Sequence, residues 1–304
     1  MRVAQYKILT VLLEKIQVPD YIHAFEKGRN IPEMATMHVG KQVVVSIDLK
    51  DYFTSIKQYH LEQVFEHLGF ESKPARLLSE LCTYKSHVPQ GALTSPKISN
   101  VVTMFTFGPL IKQYCDERGF TMSIYADDIT ISSDTLLSQE GSDTVTSLIQ
   151  YIKESVAKFG FRLNNSKTKV MRYYQRQYVC GAVVNNKVNL IKSERYKLRA
   201  LVHNCEVNGI EVEAAKNDLT SDEFISRTNG RLNWFRQLNP EAGTRIINLF
   251  MKTYGHESPN GCNSHDERVE IQGTLDVNQV IIEPNAVGTV GQLSVAEQTQ
   301  TESR

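Results

Sequence analysis

Hydrophobic positions at the start of this chain keep a helical period. Val3, Ile8, Val11, Leu12 and Ile16 fall near one face, and Pro19 ends that helix. Tyr21 to Met37 has little regular period and contains Gly28, Arg29 and Pro32, which predicts a shaped loop leading into a helical turn over Glu33 to His38. At Lys41 the pattern changes to Val43-Val44-Val45-Ser46-Ile47, a β-branched run that predicts a buried strand with Asp48 near its end. Helices follow over Leu61 to Leu68 and Pro74 to Tyr84. A loop of small residues, Val88 to Pro96, then opens an apolar helix from Lys97 to about Cys115. Ser123 to Ile131 holds two short β-prone runs around Ala126 and Asp127, predicting a tight hairpin. Val145 to Phe159 is an amphipathic helix ended by Gly160, and Phe161 to Val170 reads as strand, polar turn, strand. Tyr178 to Ile191 reads as a hairpin bent at Asn185-Asn186. From Ser193 the period is helical again: Ser193 to Val207, Ser221 to Leu238 with Ser221 as cap, and Pro240 to about Tyr254.

Beyond Gly255 there is no Phe, Tyr or Trp, and Gly, Asn, Gln, Ser, Thr and Glu dominate. Such a segment cannot offset its ordering entropy, so residues 256–304 are expected to be a disordered tail, with Val280-Ile281-Ile282 as the one patch able to dock. The net charge of zero hides an asymmetry, because the tail carries eight acidic and two basic residues and leaves an excess of six positive charges on residues 1–255. A mildly basic body is compatible with a polyanionic partner. Five cysteines without paired spacing argue for reduced thiols and a cytoplasmic protein. No apolar run approaches the roughly 18 residues of a membrane span, so no membrane partner is expected.

The chemistry concentrates at Asp127-Asp128. Adjacent carboxylates repel, and a hairpin tip that carries both is favoured when a divalent cation sits against them; a solvated acidic turn is the plain alternative. Asp48 either caps the turn that follows it or, if its strand neighbours the hairpin, completes an oxygen site for two Mg²⁺ ions. Two ions so placed would activate an attacking hydroxyl and neutralise leaving phosphates. Gln90-Gly91 would offer a backbone-rich wall for a base and its phosphates, and Lys167 a donor near the leaving pyrophosphate. Arg227, Arg231 and Arg236 recur near helical spacing and fit either a phosphate backbone or a solvated face.

In order and spacing these segments resemble reverse transcriptases, and within them the bacterial retron-type and related defence-associated group. Asp48-Leu49-Lys50-Asp51-Tyr52-Phe53 looks like the first catalytic motif, Pro89 to Pro96 the second, Tyr125-Ala126-Asp127-Asp128 the third, and Gly160 to Thr168 the fourth. The likeness covers about residues 5–255. Met34-Ala35-Thr36-Met37-His38 and Val179-Cys180-Gly181 each keep part of two retron signatures, Asn-Ala-x-x-His and Val-Thr-Gly.

The resemblance implies an α+β right-hand polymerase. Residues 1–192 would form partial fingers and a palm, an antiparallel sheet packed by helices, and 193–255 a helical thumb. Asp48, Asp127 and Asp128 would hold two Mg²⁺. Leu49, Phe53, Gln90 and Gly91 would line the nucleotide pocket, with Phe53 closing the space of a ribose 2′-OH and so favouring deoxynucleotides. Lys167 would be the catalytic proton donor. Tyr125, Gly181, Arg227, Arg231 and Arg236 would touch nucleic acid, and Tyr178 to Gly181 would begin a primer-grip hairpin. The implied activity is RNA-directed DNA synthesis on a structured RNA in a retron or other antiphage system, with deoxynucleoside triphosphates, template RNA and nascent DNA as partners. A non-coding RNA and an effector protein are further implied partners. Relatives carry more fingers before the helix near Ala4, so either another chain supplies them, the start codon is misplaced, or the pocket is reduced. A nucleic-acid-binding scaffold with an incomplete site is the competing function. An RNA-templated RNA polymerase is disfavoured by Phe53.

Overall fold

A four-stranded antiparallel sheet organises the molecule. The computed structural model describes residues 1–135 and 139–254, with residues 139–144 described as backbone only. The expected tail and its Val280-Ile281-Ile282 patch lie outside the described residues.

The first helix, α1 (Arg2–Lys7), continues through a wider π turn at Ile8–Leu12 and a 3₁₀ turn at Leu13–Lys15, so the expected helix is present with changing pitch. Helix α2 (Ile31–Thr36) starts earlier than the expected turn because Asn30 caps it, accepting from Glu33 N–H, and Pro32 suits its first turn. Strand β1 (Val43–Asp48) follows, then a short helix α3 (Tyr52–Ser55), α4 (Gln58–His67) and α5 (Ser72–Cys82).

The single helix expected from Lys97 to Cys115 is instead two, α6 (Ser95–Phe105) and α7 (Phe107–Asp116). Pro109 has no N–H for the Phe105 carbonyl, and Thr106 takes a non-helical conformation at φ −117°, ψ −109°. Gly108 permits the tight corner, since a Cβ there would lie 2.6 Å from the Thr103 carbonyl oxygen.

Strands β2 (Thr121–Tyr125) and β3 (Asp128–Ser133) form the expected hairpin, and α8 (Gln139–Ala157) follows. Of the strand expected from Phe161, only a bridge between Leu163 and Leu49 forms before β4 (Lys169–Arg172). The hairpin after it bends at Cys180-Gly181, between β5 (Tyr178–Val179) and β6 (Ala182–Val183), and not at Asn185-Asn186. Cys180 at φ 45° and Gly181 at φ 84° supply the two left-handed residues that such a two-residue turn requires. Asn185-Asn186 sits in a wider bend that returns Asn189 to Val183. Helices α9 (Lys192–Asn208), α10 (Ile210–Ala215), α11 (Ser221–Leu238) and α12 (Pro240–Thr253) complete the fold, and α10 had no signal in the periodicity. The cap of α11 is Thr220, in a reciprocal pair with Glu223, in place of the expected Ser221.

The sheet order is β2-β3-β1-β4. Alternation along each strand gives it two different faces. Val43, Val45, Ile47, Met122, Ile124, Ile129 and Ile131 point to one side and pack with α4, α6, α7 and α8 in the larger core. Asp48, Ser46, Val44, Asp128, Thr130, Ser132 and Ser123 share the other side. Val44 and Met171 there pack with Met34 and Ala35 of α2, with the β5–β6 hairpin, and with Leu232, Phe235 and Phe250 of the C-terminal helices in a second core. The expected α+β class, an antiparallel sheet packed by helices, is the observed one. Among the described residues no helix is long and apolar enough to cross a membrane, and the four described cysteines are free.

Candidate active site

Register brings the acids together. Asp48, the last residue of β1, stands directly opposite Asp128, the first of β3, and Leu49 N–H donates to the Asp127 carbonyl at 2.9 Å. The hairpin turn is Ala126-Asp127, closed by the Tyr125 and Asp128 pair. Ala126 sits in the left-handed region at φ 55°, a conformation that costs a residue with a Cβ about 1 kcal/mol. Strain of this kind persists where the surroundings hold it, and it marks functional tips.

The segment after α8 is stitched onto the end of β1. Lys50 N–H donates to the Arg162 carbonyl at 2.8 Å and Asn164 N–H to the Asp48 carbonyl at 2.7 Å. The turn that follows, closed on the Asn164 carbonyl, places Lys167 Nζ 2.9 Å from Asp48 Oδ1. Asp48 is only 7% exposed, whereas the Lys167 side chain reaches it from solvent.

Charge crowding is visible in the protonation behaviour. Burial, then the charges of Asp127 and Asp48, push the Asp128 carboxyl up to about 6, against the opposing pull of Lys167 and of a hydrogen bond from Cys180. The hydrogen bond to Asp48 and the three carboxylate charges raise Lys167. Cys180 Sγ lies 3.9 Å from Asp128 Oδ2, and burial, Asp128 and Asp127 push this thiol up to about 12, so it stays protonated. Cys180 is a neighbour that sequence reasoning placed only as part of a signature; its left-handed turn position could not be read from residue type.

Three carboxylates with excess negative charge are a hard-oxygen donor set, the chemistry suited to a divalent cation. Among the described residues no group of three or more His, Cys, Asp and Glu side chains is drawn into a metal cage, and the Lys167 ammonium holds one Asp48 oxygen.

The other expected residues fall in several places. Phe53, on α3, is half-buried, with its ring edge-on to Phe25 at 6.4 Å and to Tyr52 at 5.8 Å. Tyr52 anchors that helix, its hydroxyl donating to the Ser99 carbonyl at 2.8 Å and meeting Thr103. Leu49 is buried in the core directly after Asp48, while Gln90 and Gly91 lie exposed, Gly91 at φ 88°. Tyr125 closes the acidic turn, and Gly181 is exposed at the β5–β6 bend. Arg227 and Arg236 are exposed on α11, but Arg231 reaches back to Glu194 of α9 at 3.3 Å, so its guanidinium links two helices.

His38 is the residue that sequence reasoning underused. It is fully buried after α2, with Nδ1 2.7 Å from Ser132 Oγ and Nε2 2.8 Å from Ser123 Oγ. Burial, then Lys41 and His23, lower it to about 4. Because the folded value lies below the ordinary value near 6.5, the neutral ring's stabilisation is complete above about pH 6.5 and is lost as pH falls toward 4. Wild-type protein should lose about 2 kcal/mol from this residue between pH 7 and pH 5. Denaturant unfolding at the two pH values should show a shallower decline for His38→Gln.

The comparisons with known proteins point to the family that the motifs resemble. The chain is 32% identical over 267 residues to the retron Mx65 reverse transcriptase of Myxococcus xanthus, covering 81% of this chain and 58% of that protein. It is 29% identical over 204 residues to the retron Ec86 reverse transcriptase of Escherichia coli, covering 67% and 62%. The chain thus spans about three fifths of the length of these curated relatives. Among solved structures, telomerase from Candida tropicalis in complex with a fragment of telomeric RNA aligns with 82% of this chain and 47% of its own, at 12% identity and a TM-score of 0.46. Residues 1–223 match the family described as reverse transcriptase (RNA-dependent DNA polymerase), and the chain belongs to that family.

Proposed function

We propose that this chain is an RNA-directed DNA polymerase that copies a structured RNA, with the four-stranded sheet as palm, residues 193–255 as thumb and residues 256–304 as a separate acidic tail. The observation that carries the reading is the pairing of Asp48 with Asp128 beside Asp127, with Lys167 reaching the same point. Asp48 and Asp127 would hold two Mg²⁺ and Asp128 would support one. Bound there, the ions would supply charge neutralisation on the phosphates and acidify the primer hydroxyl.

The chain's own residues do the rest. Burial of Asp48 keeps one carboxylate in a fixed direction, and the strained Ala126 turn fixes a second. Lys167, which reaches Asp48, would hand a proton to departing pyrophosphate, as a general acid does. Gln90 and Gly91 would line the nucleotide, and Phe53, braced by Phe25 and Tyr52, would fill the space of a 2′-OH. Arg227 and Arg236 would track the nucleic-acid backbone. The named relatives are retron reverse transcriptases, which supports a retron setting; an antiphage role in the cytoplasm, with a non-coding RNA and an effector protein as partners, would extend that setting.

Sugar choice tests the reading. Phe53→Ala should raise ribonucleotide incorporation relative to deoxynucleotide by about 10–100-fold, measured by competing the two on one primed RNA. Equal use of both sugars by the wild type would overturn the DNA-polymerase assignment.

A further inference from the structure

We infer that His38 is a positioning residue for the catalytic hairpin, holding β2 and β3 in the one register that turns Asp128 toward Asp48. The inference rests on the polymerase reading of that site.

A two-residue hairpin turn is best specified by Asn-Gly, Asp-Gly or a similar pair that accepts left-handed backbone. Here it is Ala126-Asp127, with Ala126 at φ 55°. The turn is therefore a weak specifier of register. Register nevertheless matters more here than in an ordinary hairpin, because a slip of one residue would send every side chain of β3 to the opposite face and Asp128 into the apolar core.

His38 supplies a register lock from outside the hairpin. Its two ring nitrogens meet Ser123 on β2 and Ser132 on β3, 85 and 94 residues away in the chain. The two serines are not partners: Ser123 pairs with Thr130, and Ser132 with Thr121. The ring thus spans a diagonal, and only one strand offset puts both hydroxyls under it. A neutral imidazole has one N–H and one lone pair, so one serine accepts and the other donates. Both serines are buried, at 0% and 1% exposure, where a hydroxyl left without a partner is penalised. They lie on the face that carries Asp128, four residues from Ser132 along β3. His38 N–H donates to the Ala35 carbonyl at 3.1 Å, which ties the residue to the end of α2.

The test uses the full chain and a primed RNA with deoxynucleotides. His38→Ala should lower kcat about 10–100-fold per folded molecule and raise the Mg²⁺ concentration for half-maximal rate, with KM for the nucleotide within about twofold of wild type. His38→Gln, which keeps a donor and an acceptor, should recover part of the loss. The double change Ser123→Ala with Ser132→Ala should match His38→Ala and add little to it. Val202→Ala, buried on α9 in the second core, should lower stability without changing kcat per folded molecule. Wild-type kcat and Mg²⁺ dependence in folded His38→Ala would overturn the inference. If that variant does not fold, Ser132→Ala is read by hydrogen exchange. Faster exchange of the hairpin amides supports the lock, and unchanged exchange refutes it. The exchange arm also stands if the wild type incorporates no nucleotide, a result that would defeat the polymerase reading and leave the lock to be judged separately.

Discussion

Asp127→Asn should reduce DNA synthesis on a primed RNA by at least about 10³-fold, equivalent to about 4 kcal/mol of lost transition-state stabilisation. The substitution keeps the shape of the hairpin tip and removes one of the charges that crowd Asp128. Two consequences distinguish it from simple unfolding. Stability should hold or rise, because a repulsion has gone, and the Asp128 carboxyl should move back down from about 6, since Asp127 is the larger of the two charges that raise it. Single-turnover extension and a carboxyl titration followed by NMR check both. Full activity in this variant would end the metal-ligand assignment for Asp127.

Gly243→Ala should be among the most destabilising single-methyl changes in the protein, by about 3 kcal/mol. Gly243 lies on α12 where it crosses α11, and an added Cβ would fall 2.3 Å from Arg236 Cα and 2.6 Å from Arg236 N. Those are backbone atoms, so the two helices must separate, and Leu232, Phe235, Ile246 and Phe250 lose their packing together. Denaturant midpoints measure the loss. A companion change at Gly230 on α11, where an added methyl would meet nothing within 4 Å, should be neutral or slightly stabilising because alanine favours helix. Under the role proposed for Arg236, displacing it with the helix should also weaken nucleic-acid binding.

These two cases separate what residue order conveys from what it hides. Asp48, Asp127, Asp128 and Lys167 were legible because each sits at a strand end or turn defined by its own neighbours, and the sheet needs only its register to join them. Gly243 was not, since a close helix crossing leaves no periodic trace and a helical glycine looks like a weak helix former. His38 was seen only as a fragment of a signature, because its partners lie 85 and 94 residues away. Arg231 matched the spacing of a basic stripe, and only the approach of α9 shows its guanidinium turned to Glu194. The bend at Cys180-Gly181 lost to Asn185-Asn186 on propensity, although glycine at the second turn position was the available signal. The break at Thr106 could have been found from Pro109, three residues into an otherwise apolar helix.

Template-directed extension by the unmodified chain tests the central claim most directly. Purified protein, given a primed structured RNA, Mg²⁺ and the four deoxynucleoside triphosphates, should yield DNA complementary to the template, and omission of the divalent cation should abolish it. Tight binding of the RNA with no nucleotide added, whatever the template or cation, would contradict the account and leave a nucleic-acid-binding scaffold.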